Sequence, residues 1–434
     1  MKREVAGWIN ESLTGVMPLL ELRGGDRHAR VGGDLDFMVP PGLAIDACHL
    51  VAKAAEDRGW FLAGYRNIGY LAQIIIIKPL ESGTDLALKV DFFDGLRWYG
   101  VGNDAAGIKL FGKLYPTCQD KVYLAGAAGF FQKILIVGRQ SERDWLRVAD
   151  TGMTYEALAT VAGELNLPLT KQEAENRGVT GLAKWRLRAA SGGATDLLSI
   201  LPWFFCAVWA HMKFKLGVGT KYGMILGISG LDGSGKSTLV DRLLAAYSMA
   251  GGEQPTLIHL LPGWIPLPHK IFRRKKTQSN YTRPYSEPPV KSRLSGGMRL
   301  GYYLGAFFIA RLWFGVQTVR GRVLIMDRSV VDFYSDPTRS RIPVKKLPDW
   351  LLCLLLPRGR LFYLDTSPAA VVARKGELTF EKAQSLQAAY RRTGTSVSVT
   401  MLNGNETPDT VFRELLGHLS TEYMRRIEAE VVTK

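Results

Sequence analysis

The chain has 434 residues, of which 47% are hydrophobic and 22% are charged. This composition excludes a disordered or fibrous protein, and the length predicts two or three domains. The formal net charge of +16 favours anionic partners, namely nucleotides, phosphorylated sugars, nucleic acid or an acidic membrane surface, and does not choose among them.

The cysteine pattern and the opening segment bear on the compartment. No two of the cysteines form a Cys-x-x-Cys pair, so neither a zinc site nor a disulfide framework is expected. The opening MKREVAGWINESL carries a glutamate and polar residues where a signal peptide needs an apolar core. We therefore expect a cytoplasmic protein.

Residues 1–115 alternate helical and strand-like patterns. LAIDACHLVAKAAEDRGW spaces its apolar residues as an amphipathic helix does. IGYLAQIIIIKPL and DLALKVDFF are β-rich runs separated by the turn-like cluster ESGT, which predicts an antiparallel hairpin. Together they predict a small α/β domain.

Three aspartates in this region could form a metal site. Asp34 and Asp36 lie two apart on a predicted strand and so share one face, and Asp91 on another strand could complete a two-metal site for nucleotidyl transfer. With the glycine pair Gly24–Gly25, the pattern resembles the polymerase-β-type nucleotidyltransferase superfamily over residues 1–110. The resemblance implies a nucleotidyltransferase-like fold with these aspartates as Mg²⁺ ligands. A domain that binds nucleotide or acceptor without reacting is the alternative.

Residues 116–221 are predicted to form a mostly helical connector. Within them LLSILPWFFCAVWAHM, Leu197–Met212, is uncharged, contains Pro202 and is flanked by basic residues. It is shorter than the roughly 20 apolar residues that a membrane span needs. A buried linker helix, a helix lying on a membrane surface and a true span are the three alternatives, so peripheral membrane association remains open.

Residues 222–434 form the third predicted domain. The short apolar runs MILGIS, TLIHLL, RVLIMDR, RLFYLD and VSVTML are separated by helical segments. This alternation predicts an open five-stranded parallel sheet covered by helices. The basic, proline-rich stretch HKIFRRKKTQSNYTRPYSEPPVKSRLSGG interrupts the pattern and is predicted to be a mobile loop.

The sequence GLDGSGKS, Gly230–Ser237, fits the phosphate-binding pattern G-x-x-x-x-G-K-[ST] between a strand and a helix. Its amides would cradle an ATP phosphate at a helix N-terminus, Lys236 would reach the β- and γ-phosphates, and Ser237 would ligate Mg²⁺. The predicted nucleotide-binding residues are Gly230, Gly233, Ser234, Gly235, Lys236, Ser237 and Thr238.

A second signal follows in RVLIMDR. Asp327 would end a buried strand, where ligands gather in such sheets, and would support the metal, while Arg328 would clamp an anionic acceptor. DGSGKST, MDR and FYLDTSPAAVVARKGE together resemble the thymidylate kinase family over residues 222–430. The resemblance implies a kinase that uses Mg²⁺ and ATP, with Asp232 facing the acceptor. It also implies that Arg374 and Lys375 of a lid cover the transferring group.

Several features depart from an ordinary thymidylate kinase. The chain is about twice as long, and Asp332, Asp336 and Arg339 add a polar cluster after Arg328. This cluster and HLLPGW resemble the divergent thymidylate-kinase-like proteins of bacterial surface-polysaccharide clusters. That resemblance implies a sugar or glycolipid-linked hydroxyl as acceptor and a role in polysaccharide biosynthesis.

Other functions stay open at this point. The alternatives are a nucleoside monophosphate kinase of the dTMP type, a kinase acting on nucleic-acid ends through the basic loop, and a noncatalytic nucleotide-binding protein. A bifunctional enzyme with a second, nucleotidyltransferase activity is also compatible with the sequence, as is a homodimer.

Overall fold

The computed structural model describes the chain except residues 23–33, 82, 115–120, 217–222, 253, 267–292, 337–338, 340–347 and 434. The predicted glycine pair Gly24–Gly25 and nearly all of the basic loop lie outside the described residues. The chain divides into two compact units. The front unit comprises Met1–Thr220, Ala246–Gly252 and Leu416–Lys434, and the rear unit comprises Lys221–Ala245 and Glu253–Leu415.

The front unit contains a mixed five-stranded sheet. Its strands are β1 (Leu20–Glu21), β2 (Asp34–Val39), β3 (Phe61–Asn67), β4 (Leu71–Lys78) and β5 (Leu86–Asp94). Their order is β1-β2-β5-β4-β3; β2 and β5 are parallel and the other neighbours are antiparallel. The predicted hairpin is the antiparallel β4–β5 pair, in which most side chains are buried, including the run Ile74–Ile77 of β4 and the run Val90–Asp94 of β5.

Helices accompany and follow this sheet. They are α1 (Lys2–Leu13), α2 (Ala44–Glu56), α3 (Ala105–Leu114), α4 (Lys121–Val137), α5 (Glu142–Ala149), α6 (Tyr155–Glu164), α7 (Lys171–Glu175), α8 (Gly181–Ser191) and α9 (Leu197–Leu216). Phe130 and Phe131 of α4 and Leu158 of α6 are fully buried in the same hydrophobic cluster as Met38 and Phe93 of the sheet. The helices of the predicted connector therefore share a core with the sheet, and the boundary at residue 115 stays a prediction.

The rear unit contains the five-stranded parallel sheet that the sequence predicts, and this fold class is confirmed. Its strands are β6 (Met224–Gly230), β7 (Thr256–His259), β8 (Val323–Asp327), β9 (Arg360–Asp365) and β10 (Val399–Asn403), in the order β10-β9-β6-β8-β7. Every residue of the central strand β6 is buried, as expected for a parallel strand covered on both faces. All strands run in one direction, so their carboxyl ends meet at one edge of the sheet.

Seven helices complete the described part of the rear half. They are α10 (Lys236–Ala250), α11 (Arg293–Val319), α12 (Val330–Ser335), α13 (Asp349–Leu355), α14 (Pro368–Lys375), α15 (Phe380–Ser396) and α16 (Pro408–Thr433). The last residues of α10 and the second half of α16 belong to the front unit. Within the described ranges, no helix has both the length and the apolar character to cross a membrane.

A buried carboxyl group caps α3 in the front unit. Asp104 is fully buried and accepts hydrogen bonds from the amides of Leu96 and Gly107, each at 3.0 Å. The Asp104 carboxylate occupies the space that a Cβ on residue 95 would need, and residue 95 has φ of 71°. Residue 95 must therefore be glycine. Burial raises the pKa of Asp104 from 3.8 to about 7, although both amides lower it.

Asp104 makes the stability of the front unit depend on pH. The pKa is higher in the folded than in the unfolded chain, so the folded chain holds the proton more tightly and its stability falls as pH rises from about 4 to about 7. Between pH 5 and pH 7, the free energy of unfolding should fall by about 2 kcal/mol more than in Asp104→Asn. Urea denaturation at both pH values measures this difference, and equal pH dependence in the two proteins would contradict it.

Candidate active site

The loop after β6 has the conformation that a phosphate-binding loop needs. Gly233 and Gly235 have φ of 91° and 100°, a region that favours glycine. A Cβ on Gly233 would come within 3.2 Å of the Val371 carbonyl oxygen, so the space is also limited. Residue 236 then begins α10, whose N-terminus attracts anions. The local strand, loop and helix follow the predicted pattern.

Lys236 is buried at the start of α10, and its ammonium group faces the loop. Its Nζ donates to the carbonyl oxygens of Gly230 and Leu231, both at 2.8 Å. Burial, together with the positive charge of Arg328, lowers the pKa of Lys236 to about 8, and Asp232 opposes this shift. A phosphate in the loop would compete with the two carbonyl groups for this ammonium group.

Asp232, inside the loop, is held between two arginines. Arg328 donates from Nη2 to Oδ1, and Arg339 donates from Nη1 to Oδ2. Burial alone would raise the pKa of Asp232, but Arg328, Arg339 and Lys236 lower it to about 2. The carboxylate therefore stays ionised and is a weak base. The sequence predicts Arg339 only as part of a polar cluster, and the structure places its guanidinium group at the loop.

Arg328 reaches Asp232 from an unusual backbone conformation. It follows β8 directly, has φ of +75°, and its amide donates to the Ile228 carbonyl oxygen at 3.2 Å. A non-glycine residue in this region costs on the order of 1 kcal/mol or more. Outliers of this kind cluster at functional sites, where the surrounding contacts hold them in place.

Asp332 organises the segment after Arg328. Its Oδ2 accepts from the hydroxyl of Ser229 at 2.5 Å and from the amide of Ser329 at 2.8 Å, and its Oδ1 accepts from the hydroxyl of Tyr390 at 2.8 Å. It is 5% exposed. One carboxylate thus joins β6, the start of α12 and α15, which makes Asp332 a positioning residue for the site.

Asp327 ends β8, as predicted. It pairs in register with Ile228 of β6 on one side and with His259 of β7 on the other. His259 Nδ1 lies 3.1 Å from Asp327 Oδ2, while Oδ1 is buried and has no hydrogen-bond partner among the described residues. The hydroxyl of Ser234 is likewise buried without a partner there.

These orphaned oxygens fit a hard cation such as Mg²⁺. In the part of the chain that the structure describes, no group of three His, Cys, Asp or Glu side chains could hold a metal ion. Mg²⁺ does not need one, because it keeps several waters and takes phosphate oxygens together with one or two protein ligands. Asp327 and the exposed Ser237 at the start of α10 would be those ligands.

The predicted lid residues lie beside the loop. Arg374 Nη1 lies 3.5 Å from the Ser234 carbonyl oxygen, at the limit of a hydrogen bond, and Lys375 Cβ lies 3.3 Å from where a Cβ on Gly233 would stand. Both residues end α14, which Gly376 terminates in the left-handed conformation. The structure therefore brings together the loop, Arg328, Asp327 and both lid cations in the rear unit.

The front aspartates also lie together, but with a lysine. Asp36 on β2 is paired with Asp91 on β5, and Asp34 is paired with Lys89. Lys89 Nζ lies 3.2 Å from Asp91 Oδ2 and 3.9 Å from Asp34 Oδ2. Burial would lower the pKa of Lys89, but Asp91 and Asp34 outweigh it and raise the pKa, so the ammonium group stays charged. A lysine in this place does not fit a divalent metal site.

Comparisons with known proteins add little to this geometry. No family model matches the chain, and no curated protein matches it. Among solved structures, the thymidylate kinase from Candida albicans is similar, with 18% identity over 46% of this chain and 93% of that chain, at a TM-score of 0.34. A TM-score this low carries no conclusion, so the fold class is assigned from the strand order and the phosphate-binding loop.

Asp332→Asn should destabilise the rear unit by about 2–3 kcal/mol, because an amide NH₂ would face donors that now share a carboxylate. Tyr390→Phe is the matched control, since it removes one donor to Asp332 and should cost about 1 kcal/mol. Urea denaturation of the three proteins measures the effect. An Asp332→Asn protein as stable as the wild type would show that the network does not hold the site.

Proposed function

We propose that the chain is an ATP-dependent phosphotransferase whose rear unit transfers the γ-phosphoryl group to a small acceptor. The proposal rests on where the charged residues of the rear unit lie. The glycine loop, the buried Lys236 and the Asp232–Arg328–Arg339 cluster lie at the carboxyl edge of one parallel sheet. This edge is where ligands bind in open α/β sheets.

The donor phosphates would occupy the loop. Lys236 would exchange its two carbonyl partners for phosphate oxygens, and the positive end of α10 would favour their charge. Arg374, already beside the Ser234 carbonyl group, needs only a side-chain movement to reach the γ-phosphoryl group. Lys375 on the same helix end would add a second cation over the group in transit. Fixed cations of this kind stabilise the charge of the transition state.

The oxygen of Asp327 that has no partner among the described residues supports Mg²⁺ as part of this proposal. Asp327 and Ser237 would hold Mg²⁺, which neutralises phosphate charge when bound. His259 holds one oxygen of Asp327 and so leaves the other to face the metal or its water shell.

The acceptor would meet the cluster around Asp232. With a pKa of about 2, Asp232 can accept a hydrogen bond from an acceptor hydroxyl but is a poor general base. Phosphoryl transfer asks little of a base, since positioning and electrostatics supply most of the rate. Arg328 and Arg339 place two guanidinium groups beside Asp232, and guanidinium groups suit an acceptor that already carries a phosphate.

A sugar or glycolipid-linked hydroxyl, as in surface polysaccharide biosynthesis, is the acceptor that we propose. Arg339 favours it, because it belongs to the polar cluster that an ordinary dTMP enzyme does not need and brings a second guanidinium group to Asp232. The arginine pair also supports a nucleoside monophosphate as the second candidate. The nucleic-acid alternative depends on the basic loop, which lies outside the described residues.

Lys236→Ala should lower phosphotransfer by about 10²-fold or more, because it removes a cation from both bound phosphate and transition state. The measurement is transfer of labelled γ-phosphate from ATP to a panel of sugars, sugar phosphates, nucleoside monophosphates and oligonucleotides. Arg413→Ala, a charge removal at an exposed position of α16, is the control and should keep full activity.

The panel also separates the candidate functions. Transfer to sugars or sugar phosphates supports the proposed acceptor, and transfer to dTMP alone supports the second candidate. ATP binding without transfer to any acceptor would overturn the enzymatic function and leave a nucleotide-binding protein.

A further inference from the structure

The front unit contains a buried charge cluster that the proposed phosphotransfer does not use. Asp34, Asp36, Lys89 and Asp91 lie on one face of the parallel pair β2–β5, because their positions alternate in register. The side chains of Lys89 and Asp91 are 14% and 7% exposed, and that of Asp34 is 44% exposed. The cluster is therefore a largely buried site with one open side.

Asp91 already has a protein partner at each oxygen. Gln73 Nε2 donates to its Oδ1 at 2.7 Å, and Lys89 Nζ lies 3.2 Å from its Oδ2. A divalent ion bound to Asp34 and Asp91 would stand close to the Lys89 ammonium group. At the low dielectric of a buried site, that repulsion would oppose metal binding.

The lysine end of the cluster is also covered. A Cβ on Gly252 would come within 3.7 Å of Lys89 Cδ and 3.4 Å of Ile75 Cδ1. Residues Ala246–Gly252 belong to the front unit, so this cover is part of the unit itself.

We infer that Lys89 is the resident cation of the Asp34–Asp36–Asp91 cluster and replaces the divalent metal that a nucleotidyltransferase would need. The front unit then has no metal-dependent nucleotidyl transfer, and the cluster is an internal ion-pair centre that joins β2, β5 and β4. This inference does not depend on the proposed phosphotransfer, which concerns residues of the rear unit.

The test is Mn²⁺ binding to the full-length protein without nucleotide, measured by electron paramagnetic resonance. Lys89→Met should gain a Mn²⁺ site at least about tenfold tighter than any site in the wild type, because the carboxylates lose their cation. Lys89→Met/Asp91→Asn is the matched control and should lose that gained site.

A second comparison keeps Lys89 and changes the carboxylates instead, so the inference can be tested even if Lys89→Met does not fold. Mn²⁺ binding by wild type and by Asp34→Asn/Asp36→Asn should be equal. A wild-type Mn²⁺ site that the double variant loses would overturn the inference, as would an unchanged Mn²⁺ affinity in folded Lys89→Met.

A separate surface of the front unit carries a second proposal. The outward face of α9 has large apolar side chains at helical spacing, among them Leu198, Phe205 and Trp209 at 86%, 71% and 60% exposure. The opposite face packs inward, with Trp203 6% exposed and near Trp98. An exposed apolar stripe of this length marks an interaction surface.

The charges around this stripe indicate its partner. Residues 197–212 contain no charged side chain, and the exposed Lys213 and Lys215 follow them. Lys213 Nζ lies 5.2 Å from the centre of the Trp209 ring, an arrangement suited to a membrane interface. Exposed Arg186 on α8 adds to the positive charge. We propose that α9 lies in the plane of an anionic phospholipid surface, with its apolar stripe in the acyl boundary.

Sedimentation with vesicles of phosphatidylcholine containing phosphatidylglycerol tests this proposal. Phe205→Ser/Trp209→Ser should reduce vesicle binding by about tenfold or more, and Lys213→Gln/Lys215→Gln should remove most of its salt dependence. Phe380→Ser, at an exposed position of the rear unit, is the control. The proposal would be overturned if the wild type does not bind vesicles, or if these variants bind them as strongly as the wild type does. A dimer that dissociates in Phe205→Ser/Trp209→Ser would do the same, because the stripe would then face a second copy.

Discussion

The rear site depends on the ion pairs between Asp232 and two arginines. They join the glycine loop to Arg328 and Arg339, which lie 96 and 107 positions further along the chain. Lys236 is buried nearby, so three cations would face one another if Asp232 were neutral. An uncompensated buried charge costs several kcal/mol, so this carboxylate is what allows a cation-rich pocket to exist before any phosphate arrives. Asp332 accepts a hydrogen bond from the amide of Ser329 and so holds the backbone next to Arg328, from which Arg328 reaches Asp232.

The parts of the rear unit that could be predicted are the local ones. A buried strand, a glycine loop and a helix leave a contiguous pattern, so the loop and five strands follow from the sequence. The sequence predicts that Asp232 faces an acceptor and that Arg328 clamps it, and both roles stay predictions; the ion pair between the two residues is what the sequence does not predict. That pairing depends on the left-handed conformation of Arg328 and on a contact with Arg339, and neither leaves a local signal.

In the front unit, the sequence predicts which charged residues share a face of a strand but not which of them meet across two strands. Alternation along a strand is enough to set Asp34 beside Asp36, and Lys89 beside Asp91, on one face. Whether the lysine then meets Asp34 depends on the register between β2 and β5, which a single sequence does not specify. The three carboxylates alone are typical of a metal site. Together with the buried Lys89 they form an ion-pair cluster. The apolar face of α9 is a similar case, because its exposure depends on tertiary packing.

Both clusters have residue types suited to phosphate chemistry, and among the described residues the rear site contains a buried carboxylate oxygen without a hydrogen-bond partner, Asp327 Oδ1. Titration of the full-length protein with Mn²⁺–ATP, read by electron paramagnetic resonance, tests this distinction directly. We expect one Mn²⁺–ATP per chain, lost in Lys236→Ala and unchanged in Asp34→Asn/Asp36→Asn. Two Mn²⁺–ATP per chain, or one that survives Lys236→Ala, would contradict the account.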